Sequence, residues 1–365
     1  MTPPACISTP HGTIDLPAFL PDGTRGVVRT LDATDLERCG ISGLMVNTLH
    51  LSSHPGTSLV SRQGGIHEFM GWNHPVASDS GGFQIYSLIK EWPNAGTVGN
   101  KGFNYRLGRG KKKRTLTPEK CIQKQFMIGA DIMFCLDHCT HPNDNEETQQ
   151  KSVTHTVEWS KRCRQEFDRQ VEQRKLEADH PLLFGIVQGG ESPALREKCA
   201  AELLEIGFDG FGYGGWPVGD DGALVEAVDR VANLIPDELP KHALGIGKPE
   251  NLVEAFQLGY HTFDCVLPTR DARQKRLYVF TLPGGARTLS AEFYKYLYIE
   301  DERFARDASP IDESCDCLCC TNYSRAYLHH LFQIGEGLAY RLATLHNLRF
   351  YTRLMSFLSR EEAGF

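Results

Sequence analysis

The chain has 365 residues, of which 41% are hydrophobic and 23% charged, and its formal net charge is −7. That balance excludes a disordered or fibrous polypeptide, and no apolar run approaches the roughly 20 residues that a membrane-crossing helix needs. The acidic total gives no general preference for nucleic acid, yet residues 106–114 (RLGRGKKKR) and 270–276 (RDARQKR) are strongly basic, as either solvated faces or polyanion contacts.

Short strand-like apolar runs recur along the chain, at residues 16–20, 43–47, 75–78, 131–136, 182–187, 209–213, 242–246 and 261–266. Longer amphipathic stretches separate them, which predicts βα units around a parallel sheet. Some intervening helices have readable starts. Thr117-Pro118-Glu119 offers an N-cap, a proline at the first helical position and an early acid, and residues 192–206 run from Ser-Pro to a stop at Gly207. Residues 147–175 read as one long polar-amphipathic helix. Eight runs fit an α/β fold of the (β/α)8 TIM-barrel type, with a doubly wound open sheet as the alternative. Polar or glycine-rich groups stand at or past the run ends: Asn47, Asp79 with Ser80, Asp137, Gln188, Gly214 with Gly215, and Asp264. A closed barrel would gather them on one face, and that favours the barrel.

Twelve cysteines in a long chain with no export signal at its start point to a reducing, cytoplasmic setting. Four of them lie in residues 315–320. Cys315-x-Cys317-x2-Cys320 is followed by a helical composition over 325–344 and then by His346, a soft Cys3His set suited to structural zinc. Cys319 is a spare thiol, and His329 and His330 are rival nitrogen ligands. Asp79, in Asp79-Ser80-Gly81-Gly82, reads either as a turn cap or as an acid beside backbone that a ligand can approach closely. Asp264 sits inside an apolar run, where a lone carboxylate is costly. It reads as a nucleophile or base, or as a structural partner of Arg270 or Arg273.

These segments resemble the bacterial type of tRNA-guanine transglycosylase. The matching motifs are Thr9-Pro10-His11-Gly12-Thr13, Asn47-Thr48-Leu49-His50-Leu51, Ser78-Asp79-Ser80-Gly81-Gly82-Phe83-Gln84 and Phe184-Gly185-Ile186-Val187-Gln188-Gly189-Gly190. Gly245-Ile246-Gly247-Lys248-Pro249-Glu250, the Asp264 segment and Asn322-Tyr323-Ser324-Arg325 through His330 complete them, in family order over nearly the whole chain. The resemblance implies a single barrel domain over 1–365 that includes a zinc-binding subdomain at about 305–350, and a homodimer. It implies exchange of the wobble guanine of tRNA for a 7-deazaguanine, with Asp264 as nucleophile and Asp79 as general acid–base. The base would stack between Phe83 and Leu244 and be read by Ser80, Asp137, Gln188, Gly214 and Gly215. Arg270 and Arg273 would contact the RNA, and Cys315, Cys317, Cys320 and His346 would hold zinc.

Several residues depart from the family pattern. Trp216-Pro217-Val218-Gly219-Asp220 replaces the usual Leu-Ala-Val-Gly-Glu, His138 a glutamate, Gln274-Lys275 an Asn-Gly pair, and His242 and Leu49 tyrosines. A preQ1-type aminomethyl base is favoured. The alternatives are a queuine-preferring or DNA-acting transglycosylase and a non-catalytic accessory subunit.

Overall fold

Alternation of side chains along eight short parallel strands builds the centre of the molecule. In the computed structural model, which describes residues 4–176, 180–281, 289 and 292–362, these strands are β1 (Ala18–Pro21), β2 (Leu44–Asn47), β3 (Val76–Asp79), β4 (Ile132–Phe134), β5 (Leu182–Val187), β6 (Gly210–Tyr213), β7 (Lys241–Leu244) and β8 (Thr262–Cys265). Ala18, Leu20, Met45, Ala77, Ile132, Phe134, Phe184 and Ile186 point inward and pack on one another. Their chain neighbours Phe19, Leu44, Val46, Val76, Met133, Leu183 and Val187 point outward into the helix layer. Period-two alternation between two apolar environments explains why the runs read as continuously apolar.

The strands pair in the ring order β1-β8-β7-β6-β5-β4-β3-β2. A parallel bridge between Asp22 and Met45 joins β1 to β2 and closes the barrel. The closed form predicted from the run ends is the one adopted, and each of the eight runs overlaps one strand, three of the strands passing the run by one residue. Interior space is tight. A Cβ at Gly210 would lie 2.5 Å from the Phe184 ring, so this strand carries glycine where its neighbour carries phenylalanine. The hairpin of Cys6–Thr9 and Gly12–Asp15 plugs the far end, placing Ile7 and Ile14 in the interior core. There Asp131 accepts from His11, His67 and the Val76 N–H, at 2.6, 3.0 and 2.8 Å. Three donors satisfy that buried carboxylate.

The helix starts follow their caps. Thr117 Oγ1 accepts from the Lys120 N–H at the head of Pro118–Ile128, and Ser192 Oγ accepts from the Leu195 N–H at the head of Pro193–Ile206. Glu146–Arg174 forms the expected long helix. The helical composition of 325–344 resolves into two helices, Arg325–Gln333 and Gly337–Glu362, broken where Gly335 takes a left-handed φ of 71°. His346 therefore lies inside the second helix.

A second core of Leu277, Val279, Leu297, Ile299, Ile311, Leu328 and Leu331 forms around the cysteine cluster. The helix Gly337–Glu362 spans both cores, with Ala339, Leu342 and Ala343 in the second and Leu345, Leu348, Tyr351 and Leu354 in the first. Among the described residues no helix is long and apolar enough to cross a membrane.

Candidate active site

Register places the polar strand ends on one rim. Asn47 pairs with Asp79 across β2 and β3, and Leu244 pairs with Asp264 across β7 and β8. These ends surround a pocket of about 400 Å3 lined by Asp79, Ser80, Phe83, Asp137, Cys139, Gly214, Gly215, Leu244 and Asp264, among others. All but one of the predicted base-contacting and catalytic residues line it. The exception is Gln188, which stands just behind. Its Nε2 donates to Asp137 Oδ2 at 2.6 Å, and its buried Oε1 has no partner.

Each carboxylate is held differently. Asp79 Oδ2 accepts from Asn47 Nδ2 at 2.7 Å, while Asn47 Oδ1 caps the next helix by accepting from the Leu49 and His50 N–H groups. Burial, then the charge of Asp264, raises the Asp79 pKa despite bonds from Gly81, Gln84 and Asn47. Asp137 is pushed up to about 7, mainly by burial and also by the Asp79 charge, against the bond from Gln188. Asp264 is 21% exposed at its side chain. Its Oδ1 accepts from His242 Nε2 and from the Gly245 N–H, both at 3.1 Å, and among the described residues Oδ2 has no hydrogen-bond partner.

The partner of Asp264 is therefore neither Arg270 nor Arg273. Arg270 is exposed on the helix Leu267–Arg273 that follows β8. Arg273 is half-buried near Arg29 and has an unpartnered buried Nη1. His242 could donate to Asp264 only from a protonated Nε2, because a carboxylate accepts and cannot donate. Its Nδ1 lies 2.8 Å from Thr262 Oγ1. A histidine thus takes the place where the resemblance puts a tyrosine, and it anchors one carboxylate oxygen.

Arg196 was missed by sequence reading. From the helix Pro193–Ile206 it is 1% exposed and donates to the Val187, Gly190 and Gly214 carbonyls at 2.6–2.8 Å, and to the Tyr213 hydroxyl at 3.1 Å. It ties together the loops after β5 and β6. Gly214 is confined in turn, since a Cβ there would meet Gln188 Nε2 at 2.6 Å. The pocket entrance is aromatic. Phe83 and Trp216 are each 39% exposed, and their rings meet edge-to-face at 5.8 Å. His138 turns away from the base pocket to stack on His155, and burial lowers its pKa to about 4, so it stands neutral.

The metal-ligand cluster assembles as spaced. Donor atoms of Cys315, Cys317, Cys320 and His346 lie within 4.8 Å of one another, all four buried. His346 Nδ1 is 3.2 Å from Cys320 Sγ and 3.7 Å from Cys317 Sγ. A tetrahedral ion with Zn–S of about 2.3 Å and Zn–N of about 2.0–2.1 Å would set such separations near ~3.5 Å. His346 Nε2 reaches the Tyr278 carbonyl at 2.6 Å, which turns Nδ1 to the thiols. The cluster can hold a metal ion. Cys319, His329 and His330 are not part of it.

A closed (β/α)8 barrel with acids gathered at the C-terminal ends of its strands has the form of an enzyme, because that face is where such barrels place their chemistry. A family model described as queuine tRNA-ribosyltransferase matches residues 5–360. The queuine tRNA-ribosyltransferase of Shewanella sediminis is 39% identical over 346 residues, covering 94% of this chain and 85% of that protein. The protein of the same name from Thermoanaerobacter pseudethanolicus is 38% identical over 351 residues, covering 96% and 87%. The chain belongs to the queuine tRNA-ribosyltransferase family.

The raised Asp137 has a measurable consequence. A carboxyl with a folded pKa above its unfolded value stabilises the fold below the unfolded pKa, near 3.8, and loses that contribution as pH rises through about 7. Unfolding in denaturant from pH 4 to pH 8 should show wild type losing stability relative to Asp137→Asn, by on the order of 3–4 kcal/mol at about 1.4 kcal/mol per pH unit. A constant difference across that range would contradict the assignment.

Proposed function

We propose that this enzyme exchanges the wobble guanine of tRNA for a 7-deazaguanine through a covalent intermediate on Asp264. The observation that carries the reading is that Asp79 and Asp264 face one pocket, Asp264 with one oxygen anchored and Asp79 buried beside its charge. Asp264 has one oxygen anchored by two donors and the other, among the described residues, unbonded, which suits a nucleophile. Asp79 is held toward its protonated form by burial and by the Asp264 charge. Attack of Asp264 Oδ2 on the ribose C1′ would break the bond to guanine, with Asp79 supplying a proton to the departing base. The deazaguanine then enters, gives its proton to Asp79 and displaces Asp264, so two inversions retain configuration.

The base would lie between Phe83 and Leu244 with its edge toward Ser80, Asp137, Gln188 and the Gly214–Gly215 backbone. Stacking plus edge hydrogen bonds is the general way that an extruded base is read. The unpartnered Gln188 Oε1 supports this, since a buried acceptor without a donor is costly and a base N–H would satisfy it. Arg270 and Arg273 would meet the neighbouring nucleotides. In this reading the chain is one barrel domain with a zinc-bearing subdomain at about 305–350, and it works in the cytoplasm as a homodimer. Retention of Asp79 and Asp264 in the pocket speaks against a non-catalytic accessory subunit.

Incorporation of labelled guanine into unmodified tRNA tests the activity. Wild type should exchange, Asp264→Asn should fall by more than about 1,000-fold, and Asp79→Asn should still displace guanine but turn over slowly. Ordinary turnover by Asp264→Asn, with deamidation excluded, would overturn the nucleophile.

The base preference follows from Pro217. Proline has no N–H, so the peptide joining residues 216 and 217 offers only its carbonyl. That carbonyl accepts from the Tyr213 hydroxyl at 3.3 Å and keeps a second lone pair. An acceptor suits the ammonium of an aminomethyl deazaguanine better than a nitrile, by about 0.5–1.5 kcal/mol for the hydrogen bond at stake. Trp216, standing over the entrance against Phe83, leaves less room for bulky queuine. Competition among aminomethyl, nitrile and queuine bases should rank the aminomethyl form first, and Pro217→Ala should narrow its lead over the nitrile. A nitrile preference unchanged by Pro217→Ala would refute this.

The Cys3His cluster is read as structural zinc, closed to substrate by its four protein ligands. Metal analysis should find about one zinc per chain, and Cys320→Ser should lose both metal and folded yield, because a closed site contributes folding energy. Full zinc and normal stability in Cys320→Ser would place the ligands elsewhere.

A further inference from the structure

One strongly charged stretch of the chain has no part in the pocket. From Trp92 to Pro118 there are seven lysines and arginines and no aspartate or glutamate, within a protein of net charge −7. Six of the seven, Arg106, Arg109, Lys111, Lys112, Lys113 and Arg114, crowd the connection between the antiparallel strands Gly102–Tyr105 and Arg114–Leu116. All six are exposed. Among the described residues none of them lies within 4.0 Å of a carboxylate. Cations on the longest helix behave differently. On the helix Glu146–Arg174, Lys151, Lys161, Arg162, Arg164 and Arg169 are each paired with an acid. Uncompensated like charges on one loop repel one another, and a polyanion relieves that repulsion.

The position of this loop is set by topology and packing. Its sheet lies between the helix Gly82–Glu91, which leaves the mouth after β3, and the helix Pro118–Ile128, which runs back to the start of β4. The head of the latter helix, and the sheet before it, therefore stand on the pocket side. The sheet is fastened there by Phe103, which is buried and meets the His138 ring at 6.4 Å and the Trp159 ring at 5.3 Å. His138 follows Asp137 at the end of β4. In the closed ring β4 is four strands away from β8, the diametrically opposite place. Arg270 and Arg273 follow β8, with Arg29 close by. Two groups of cations thus flank the pocket from opposite sides. The eight residues joining the strands could carry their tip up to about 13 Å from the sheet.

We propose that the loop of residues 106–114 is a phosphate clamp for the tRNA, gripping the strand on one side of the extruded nucleotide while Arg270 and Arg273 meet the other. This rests on the transglycosylase reading and extends it to a surface outside the pocket. A nucleotide drawn into a pocket leaves its two neighbours running away in opposite directions, and both carry phosphates that need cations. Lysines and arginines alternating with Gly108 and Gly110 suit backbone contact, which needs charge and adaptability rather than base-edge geometry.

The test is the salt dependence of binding to an unmodified tRNA transcript, measured by fluorescence anisotropy on the full chain from 50 to 300 mM KCl. Lys111→Ala/Lys112→Ala/Lys113→Ala should weaken binding by at least about tenfold. It should also flatten the plot of log affinity against log salt by about 2, at roughly 0.7 for each single-strand phosphate no longer neutralised. Lys→Arg changes at the same three positions should keep the wild-type slope. The KM for tRNA in guanine exchange should rise as affinity falls. Wild-type affinity and slope in the alanine variant, with guanine exchange intact in both proteins, would overturn the clamp and leave the transglycosylase reading standing. Guanine exchange by wild type on duplex DNA and not on tRNA would instead overturn the RNA partner in both proposals.

Discussion

Three carboxylates meeting at the mouth of one barrel are the constraint to which the surrounding residues respond. Asp79, Asp137 and Asp264 arrive there because each stands at or just past the end of a parallel strand in a ring closed by the Asp22–Met45 bridge. Ionising all three in a half-buried pocket would cost desolvation and mutual repulsion. The structure divides the burden. Asp264 receives two donors on one oxygen, Asp137 receives Gln188, and Asp79 is held by Asn47 while its pKa rises through burial and then the Asp264 charge. A buried acid pushed toward its protonated form beside an anchored carboxylate is what an exchange through nucleophile and proton donor requires. The chemistry proposed for the site is thus the use of an electrostatic asymmetry already present in the fold.

Holding those acids in place requires rigidity well outside the pocket. Arg196 supplies part of it, fixing three carbonyls from two loops with one buried guanidinium. Its charge has the Tyr213 ring 4.5 Å away and carbonyl dipoles as partners, so removing it would strand several buried acceptors at once. The cysteine cluster fixes the other side. His346 stands on the helix Gly337–Glu362, whose remaining contacts reach from the second core into the barrel layer, so a bound metal would link the two. The same helix carries Asn347, which receives the Tyr278 N–H and donates to the Pro268 carbonyl at the start of the Arg270–Arg273 segment. The helix that bears His346 thereby holds the start of the segment that carries Arg270 and Arg273.

Much of this was legible in the residues. Strands buried on both faces give continuous apolar runs, and all eight barrel strands matched such runs to within a residue because inward and outward neighbours are both apolar. Caps at Thr117 and Ser192 marked helix starts through local bonds that short-range sequence encodes. The cysteine spacing marked a cluster that could hold a metal ion for the same reason. Long-range partners were not legible. Arg196 reads as an ordinary helix-surface residue, and only the folded packing buries it against β5 and β6. The bond from His242 to Asp264 spans 22 positions, whereas the arginines nearer in sequence point elsewhere. Composition over 325–344 is helical on both sides of the break, and it does not say which of Gly335 and Gly337 takes the left-handed turn.

The central claim is that Asp264 forms a bond to the ribose. Its direct measurement is peptide mass analysis of wild-type protein quenched in acid after incubation with unmodified tRNA and then treated with ribonuclease. The account predicts a ribonucleotide adduct lacking guanine on the peptide that contains Asp264, lost when a competing deazaguanine is added before the quench. An adduct on Asp79 or Asp137 instead, or guanine exchange with no adduct on any carboxylate under conditions that preserve an ester, would contradict it.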